Sequence, residues 1–203
     1  MREESLALSG ASIRELGAAE AEARLTELAD ILLDAVAHGA SVNFMAGLTR
    51  EEGRAFWRRQ VADIAAGEKR LFVGERDGRL VATVLLIYAP QPNAPHRAEI
   101  GKMLVLSSER RQGLGRRLLA AAEKAAAAAG RTLLLLDTES GSAGDKLYRS
   151  CGWIEYGRVP DHAYRTDGRL AETTMFYKRL ADRPSPEIRV MAAQAGIQET
   201  AES

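Results

Sequence analysis

The sequence VLSSERRQGLGRRLL, residues 105–119, leaves a predicted strand, turns through a short loop and enters a predicted helix. Gly113 and Gly115 lack a Cβ, so their backbone can come close to a ligand. The first N–H groups of a helix have no partner inside the helix and lie at its positive end. Four arginines add local positive charge, namely Arg110, Arg111, Arg116 and Arg117. The stretch therefore predicts an anion-binding loop in which backbone donors hold the ligand.

Other interpretations of this loop stay open at this point. A Gly-x-Gly pair also occurs in ordinary turns, and four arginines can form a solvated helix face. A P-loop needs Gly-Lys-Ser/Thr, which the sequence lacks. A dinucleotide-binding loop needs a third glycine, and Leu118 and Leu119 stand near that place. Asp137 does lie at about the distance expected for the acidic residue of such a loop.

The elements around the loop alternate between strands and helices. The strand before it is predicted over 98–106 and the helix after it over 113–129. Hydrophobic periodicity and turn residues predict the others. These are a strand over 11–16, helices over 18–37 and 49–66, strands over 71–76 and 80–89 joined at Asp77-Gly78, a leucine-rich strand over 132–137, a helix over 143–151 and strands over 153–159 and 172–180. An α/β fold class follows from this order.

The 203 residues are enough for one domain, which we expect over 11–181. Residues 1–10 are predicted to be a frayed N-terminus. Residues 182–203 are predicted to be a loosely ordered tail, because Pro184 and Pro186 favour an extended chain.

Charge and cysteine content exclude several classes of function. Lys and Arg total 28, as do Asp and Glu, and a neutral chain lacks the basic excess that nucleic-acid binding requires. Cys151 is the single cysteine, so neither a disulfide within the chain nor a cysteine zinc site can form. The histidines His38, His96 and His162 have no metal-ligand spacing, and we expect no metal. No run approaches the ~20 apolar residues that span a bilayer. Without a signal peptide in residues 1–20, a cytoplasmic location and no membrane partner are expected.

The pattern Arg110-x-x-Gly113-x-Gly115 resembles the acetyl-CoA pyrophosphate loop of the GNAT superfamily of N-acetyltransferases. The predicted order of elements resembles that superfamily over about residues 11–180. Several segments look like the tabtoxin-resistance acetyltransferases, namely residues 38–44, 99–105, 135–139, 147–148 and 166–170. The resemblance implies the GNAT acyltransferase fold, an α/β (α+β) fold with a mixed seven-stranded sheet that is splayed in the middle and flanked by about four helices.

The resemblance also implies that acetyl-CoA is the co-substrate. Its pantetheine would pair with the strand edge and its pyrophosphate with the loop. The implied cofactor-binding residues are Met103, Leu104, Val105, Arg110, Arg111, Gln112, Gly113, Leu114, Gly115, Arg116 and Ser142. Many superfamily members have Asn seven residues before the catalytic tyrosine, where this chain has Gly141. Ser142 is expected to cover that contact.

Acetyl transfer to an amine requires a base for the amine and an acid for the thiolate. The resemblance gives Tyr148 the role of acid, and a phenol keeps its proton near neutral pH. It gives Glu99 and Asp137 the role of base, directly or through a water. Structural roles stay open for all three: Tyr148 as a core aromatic, Glu99 as an exposed strand residue, and Asp137 as a turn residue.

His38 and Phe44 are expected to contact the acceptor, although His38 also suits the negative end of a helix. The predicted function is transfer of acetyl from acetyl-CoA to a primary amine of a small, amino-acid-like or toxin-like molecule. The alternatives are a peptide or protein N-acetyltransferase and a non-catalytic acyl-CoA-binding domain. The protein is expected to be a monomer or a homodimer.

Overall fold

A computed structural model describes residues 10–180, which form one sheet with helices on both faces. In chain order the elements are β1 (Ser12–Leu16), α1 (Ala18–Ala23), α2 (Leu25–Ala37), α3 (Arg50–Ala65), β2 (Lys69–Arg76), β3 (Arg79–Tyr88), β4 (Arg97–Val105), α4 (Leu114–Ala128), β5 (Leu133–Glu139), α5 (Ala143–Ser150), β6 (Ile154–Tyr164) and β7 (Leu170–Arg179). A single 3₁₀ turn, Ser107–Glu109, follows β4. In the part of the chain that the structure covers, no helix is long and apolar enough to cross a membrane.

The seven strands are ordered β1-β2-β3-β4-β5-β7-β6. All neighbouring pairs are antiparallel except β4 and β5, which are parallel. Those two strands pair only at their beginnings, where residues 97–99 face residues 133–135. Beyond Glu99 they part, so the sheet opens a gap in its middle. This confirms the predicted splayed mixed sheet.

The sheet separates two hydrophobic cores. One lies under α4 and contains Leu118, Leu134 and Phe176. The other lies under α2 and α3 and contains Leu32, Trp57 and their neighbours. Because helices cover both faces, the leucine-rich strand β5 is buried on one face and half-buried on the other.

The turn and cap predictions are confirmed where they were most specific. Asp77 and Gly78 both have positive φ, 49° and 75°, as a tight hairpin between antiparallel strands requires. Thr49 caps α3 through a reciprocal capping box with Glu52. Gly130 has a φ of 75° just after α4, where it ends the helix.

The number of flanking helices differs slightly from the prediction of about four, because residues 10–180 form five. The predicted helix over 18–37 is divided at Arg24, which has φ −111° and ψ 19°. The Arg24 guanidinium donates to Glu27, Glu75 and the carbonyl of Gly78. A residue with this many partners outside its own helix fixes the break, and no periodicity in the sequence marks it.

Strand β6 is longer than the prediction of 153–159, because it continues to Tyr164 through Pro160. Proline lacks an N–H and is tolerated at sheet edges and bulges. Both conditions hold here, since β6 is the edge of the described sheet and its pairing with β7 shifts register between Val159 and Ala163. Its exposed apolar side chains are Ile154, Tyr156, Val159 and Tyr164.

The predictions for the two termini lie outside the described residues. They concern the frayed segment 1–10, of which only Gly10 is covered, and the tail 182–203.

Candidate active site

The gap in the sheet leaves one edge of β4 without a strand partner. On its other side β4 pairs with β3 as far as Val105, but β5 pairs with it only as far as Glu99. Met103, Leu104 and Val105 lie on the stretch that faces the gap. Leu104 is buried in the core under α2 and α3, and the other two are half-buried. The backbone of this stretch is therefore the part available to a ligand.

Strand β4 contains a bulge at its centre. Thr83 pairs with Leu104 and Leu85 with Gly101, so Lys102 and Met103 both lie opposite the one residue between. Lys102 has a φ of 47°, which is uncommon for a residue with a side chain. The hydroxyl of Thr83, which is fully buried, donates to the carbonyl oxygen of Lys102 at 2.9 Å and holds this conformation.

The predicted anion loop joins β4 to α4. Gly113 is the N-cap of α4 with a φ of 79°, and no side chain caps the first N–H groups of the helix. A Cβ built on Gly113 meets no atom within 4 Å, so the space before the helix is open. Arg111 also has positive φ, 63°, and its side chain is exposed. An open helix N-terminus beside an exposed arginine suits a phosphate.

Contacts with α2 and β2 hold the loop in place. The carboxylate of Asp34 accepts hydrogen bonds from the backbone N–H and the hydroxyl of Ser107, both at 2.7 Å. Arg110 donates to the carbonyl of Val105 at 3.2 Å and approaches Asp34 at 3.8 Å. Arg76 on β2 donates to the side-chain oxygen of Gln112 at 2.7 Å. The loop thus has its shape before any ligand arrives.

Besides Arg110 and Gln112, four of the predicted cofactor-binding residues have structural partners. Leu114 is buried against the sheet, so only its backbone can face a ligand. A Cβ on Gly115 would lie 3.0 Å from the Cδ2 of Leu147, so this glycine allows α4 to pack on α5. Arg116 donates to the carbonyl and the hydroxyl of Ser150. The hydroxyl of Ser142 caps α5 by accepting from the backbone N–H of Asp145.

Tyr148 lies on α5 and packs in the core under α4. Its ring is 6.0 Å from that of Trp153 and 6.2 Å from that of Phe176, centroid to centroid. Its hydroxyl makes no hydrogen bond with any residue from 10 to 180. Burial raises the pKa of the Tyr148 phenol, and the charges of Asp137 and Cys151 raise it further. The phenol of Tyr148 therefore keeps its proton at neutral pH.

Glu99 and Asp137 lie on the same face of the sheet at the start of the gap. Ala98 and Ile100 belong to the core under α4, so Glu99, between them, points to the α2 and α3 face. The same alternation on β5 points Asp137 to that face, two residues beyond the residue that pairs with Glu99. Both side chains are exposed, and neither makes a hydrogen bond or ion pair within the described chain.

The segment between α2 and α3 passes over this face. Phe44 packs edge-on against Phe56 of α3, with ring centroids 5.3 Å apart. His38 ends α2, where its Nδ1 lies 2.8 Å from the carbonyl oxygen of Asp34, and its side chain is exposed. Phe44 therefore belongs to the wall beside the carboxylates, while His38 is a helix-end residue near the loop that Asp34 holds.

Two residues of the candidate site were not predicted from the sequence. Asp34 shows no local signal, because its role depends on a contact 73 positions away in the chain. Lys102 follows an isolated glycine, Gly101, inside a strand pattern, and such a glycine is a known sign of a bulge. That sign was available in the sequence and predicts the distortion, although not the burial of the lysine.

The gap thus has an open helix N-terminus at one end and two exposed carboxylates where β4 and β5 part. The chain belongs to the Acetyltransferase (GNAT) family, whose model matches residues 33–153, more than half of its length. It is accordingly an acetyl-CoA-dependent N-acetyltransferase. The alternative of a non-catalytic binding domain is set aside.

Solved structures agree with this assignment. A putative acetyltransferase, yncA from Salmonella typhimurium, solved with its cofactor acetyl-CoA, has a TM-score of 0.71 and 20% identity, over 88% of this chain and 99% of that one. A ribosomal-protein-alanine N-acetyltransferase from Brucella melitensis has a TM-score of 0.68 and 27% identity, over 83% and 99%. A putative phosphinothricin N-acetyltransferase has a TM-score of 0.67 and 18% identity, over 85% and 99%.

Proposed function

We propose that this enzyme acetylates the primary amine of a small molecule, with Glu99 and Asp137 as its base and Tyr148 as its acid. The observation that carries the proposal is the placement of two carboxylates without partners on one face, where β4 and β5 part. The tabtoxin-resistance type of acceptor, an amine of a small amino acid, is the form of this proposal that the sequence segments favour.

The donor side follows from the gap and the loop. We assign the pyrophosphate of acetyl-CoA to the open N-terminus of α4 at Gly113, with Arg111 beside it. We assign its pantetheine to the unpaired backbone edge at Met103, Leu104 and Val105. When bound, acetyl-CoA supplies an activated acetyl thioester to the amine.

The chain's own groups move two protons. A carboxylate, Glu99 or Asp137, takes a proton from the acceptor ammonium, directly or through water, so that a neutral amine attacks. The phenol of Tyr148 gives its proton to the departing sulfur. The charge of Asp137 raises the pKa of Tyr148, and this supports placing the two groups near one reacting centre at the gap.

The β6–β7 turn lies on the same side of the protein as the segment before α3. Together with α2 they border a cavity of about 370 Å³, whose lining includes Leu33, Leu48 and Asp167 but neither Glu99 nor Asp137. That turn is held against the end of β5 by an ion pair of Arg165 with Glu139 at 2.7 Å. The size of the acceptor therefore follows from the proposed chemistry and not from this cavity.

A protein acceptor is the second candidate. It is favoured by the 27% identity to a protein whose name states that it acetylates an alanine of a ribosomal protein. A peptide N-terminus would have to pass between the 40–48 segment and the β6–β7 turn. Phe44 on Phe56 anchors the first of these segments, and Arg165 on Glu139 anchors the second.

The test is a panel of small primary amines and peptides with free N-termini, each incubated with acetyl-CoA and read as free thiol release and product mass. We expect turnover on small amines that Tyr148→Phe removes. Turnover on peptides alone would transfer the assignment to the second candidate. Thiol release that is the same with and without an amine would contradict acetyl transfer to an amine.

A further inference from the structure

Lys102 brings a positive charge to the face that holds the two carboxylates. Its Nζ donates to the carbonyl oxygen of Val42, 3.1 Å away, and lies 5.4 Å from the centre of the Phe56 ring. Both contacts belong to the wall that the 40–48 segment and α3 form on the proposed acceptor side. Val42 lies in that segment, and Phe56 of α3 packs against Phe44. The lysine side chain therefore runs from the bulge of β4 into the acceptor side of the gap.

The ammonium of Lys102 has fewer partners than its chemistry allows. It carries three N–H donors, of which the Val42 carbonyl accepts one. No carboxylate oxygen of residues 10–180 lies within 4.0 Å of it. Burial lowers the pKa of Lys102, the charge of Asp137 raises it, and that of Lys69 lowers it. Lys69 is itself paired with Asp63 at 2.8 Å.

A half-buried charge without a counter-ion is unusual, because buried charges are generally paired. The backbone conformation of Lys102 is unusual as well, because a lysine at positive φ is strained and persists only when its surroundings hold it there. Thr83 holds it from the buried side of the strand. The fold thus holds Lys102 in a strained conformation on the proposed acceptor side, where its ammonium has no carboxylate partner among residues 10–180.

The three charges on this face complement one class of acceptor. Glu99 and Asp137 suit an amine, and Lys102 suits an anion a short distance from that amine. We propose that Lys102 binds the carboxylate of the acceptor, so that the enzyme selects amino acids with a free carboxylate over amines that lack one. This inference rests on the proposed function and adds the residue that recognises the carboxylate of the acceptor.

The experiment compares matched acceptors, each a small amino acid and its carboxamide, with wild type, Lys102→Met and Lys102→Arg. We expect wild type to prefer the carboxylate. Lys102→Met is expected to lower kcat/KM for the amino acid by about 10- to 100-fold, the worth of a charge-assisted hydrogen bond, and to leave the carboxamide within about twofold. Lys102→Arg should recover part of the preference. The ratio of kcat/KM for the amino acid to kcat/KM for its carboxamide is compared between wild type and each variant. This comparison removes the effect of the different amine basicity of the two acceptors.

Two controls separate selection from structural support. Lys146→Met removes an exposed lysine on α5 and should leave the ratio unchanged. The stabilisation of Lys102→Met by acetyl-CoA, measured as a shift in Tm, should equal that of wild type. Equal losses on both acceptors would overturn the inference and make Lys102 a support of the wall. If Lys102→Met does not fold, the measurement on wild type decides. A wild-type enzyme that does not prefer the amino acid over its carboxamide overturns the inference. Absence of transfer to any amine would overturn the proposed function as well.

Discussion

The two ends of the gap between β4 and β5 are built in different ways. At the loop end, side chains are already paired with the protein: Asp34 with Ser107, Arg76 with Gln112 and Arg116 with Ser150. At the acceptor end, Glu99 and Asp137 make no pair within the described chain. The loop offers backbone donors on a rigid frame, while the acceptor end offers charged side chains that await a ligand.

This difference separates two kinds of specificity. Backbone donors at a helix N-terminus recognise phosphate in any chain with the right loop, so the donor site is a property of the fold. Unpaired side chains on strands differ from protein to protein on the same fold. The acceptor is therefore set by a few residues, and changes at the two ends should have separable effects.

The largest effect is expected at the acid. Tyr148→Phe should lower kcat by ~10²–10⁴-fold with little change in the affinity for acetyl-CoA, because a positioned acid is lost and the ring is kept. The raised pKa of Tyr148 means that the wild-type phenol stays protonated at neutral and mildly alkaline pH. No alkaline loss of activity below its ordinary pKa should come from this residue.

Steady-state kinetics with product mass would check this prediction. Tyr156→Phe, a change to an exposed tyrosine on β6, is the matched control and should be neutral. Wild-type turnover in Tyr148→Phe would assign the proton to water or to another group.

The next effect is expected at the carboxylates. Glu99→Gln and Asp137→Asn should each lower kcat/KM by about 10-fold or more, and the double variant should be little worse than the poorer single one, because residues that act as a unit are not additive. The deficit should shrink as the pH rises, since the free amine then forms without help.

A pH series of kcat/KM for the three variants would measure this. Glu51→Gln, in the exposed first turn of α3, controls for loss of surface charge. Strictly multiplicative losses, or deficits that do not change with pH, would argue against a shared relay.

A smaller effect is expected at the loop. Gly113→Ala should raise the Kd of acetyl-CoA by about 10-fold, because a Cβ would enter the open space before α4 and the φ of 79° disfavours alanine by ~1–2 kcal/mol. The turnover number at saturating acetyl-CoA should change little.

Gly130→Ala is a closely matched control, since Gly130 has a φ of 75° and open space around it at the other end of α4. Both variants should lose similar stability in thermal unfolding, and only Gly113→Ala should show a smaller ligand-induced shift in Tm than wild type at the same concentration of acetyl-CoA. An equal shift in both would remove Gly113 from the donor site.

The smallest effect is expected at the anchor under the loop. Asp34→Asn should raise the KM for acetyl-CoA several-fold, because a hydrogen bond to a charged group contributes ~1.5–3 kcal/mol to holding a group in place and asparagine keeps part of it. Asp30→Asn, one turn earlier and in an exposed ion pair with Arg50, should be near neutral. Equal KM values in the two variants would mean that the loop keeps its shape without Asp34.

The sequence predicts the donor side better than the acceptor side for a physical reason. Gly113, the helix after it and the hairpin at Asp77-Gly78 depend on local backbone preferences, which short patterns carry. Most element bounds followed from such patterns, whereas the family and the splayed sheet were expected from the resemblance of the loop motif and the order of elements to the GNAT superfamily. The roles of the individual site residues stay predictions until variants are measured.

The parts that the sequence did not predict depend on contacts between distant residues. The break at Arg24 is fixed by Glu75, and the loop by Asp34, neither of which is near in the chain. Gly115 stays a predicted ligand residue, and its missing Cβ also makes room for Leu147, a contact that the sequence does not show. The predicted strand ended at Val159, whereas β6 continues through Pro160, which its place at the sheet edge and the bulge there permit.

That edge has a consequence for behaviour at high concentration. A flat edge strand with exposed apolar side chains is a template on which other chains aggregate. Pro160 removes a backbone hydrogen-bond donor from β6. The bulge between Val159 and Ala163 interrupts the strand, so the exposed side chains of Ile154, Tyr156 and Tyr164 do not form a regular apolar row. At the opposite edge, β1 is only five residues long. In the sheet of residues 10–180, both outer edges thus disfavour intermolecular pairing, whereas the unpaired backbone of β4, to which we assign the donor, lies inside the gap.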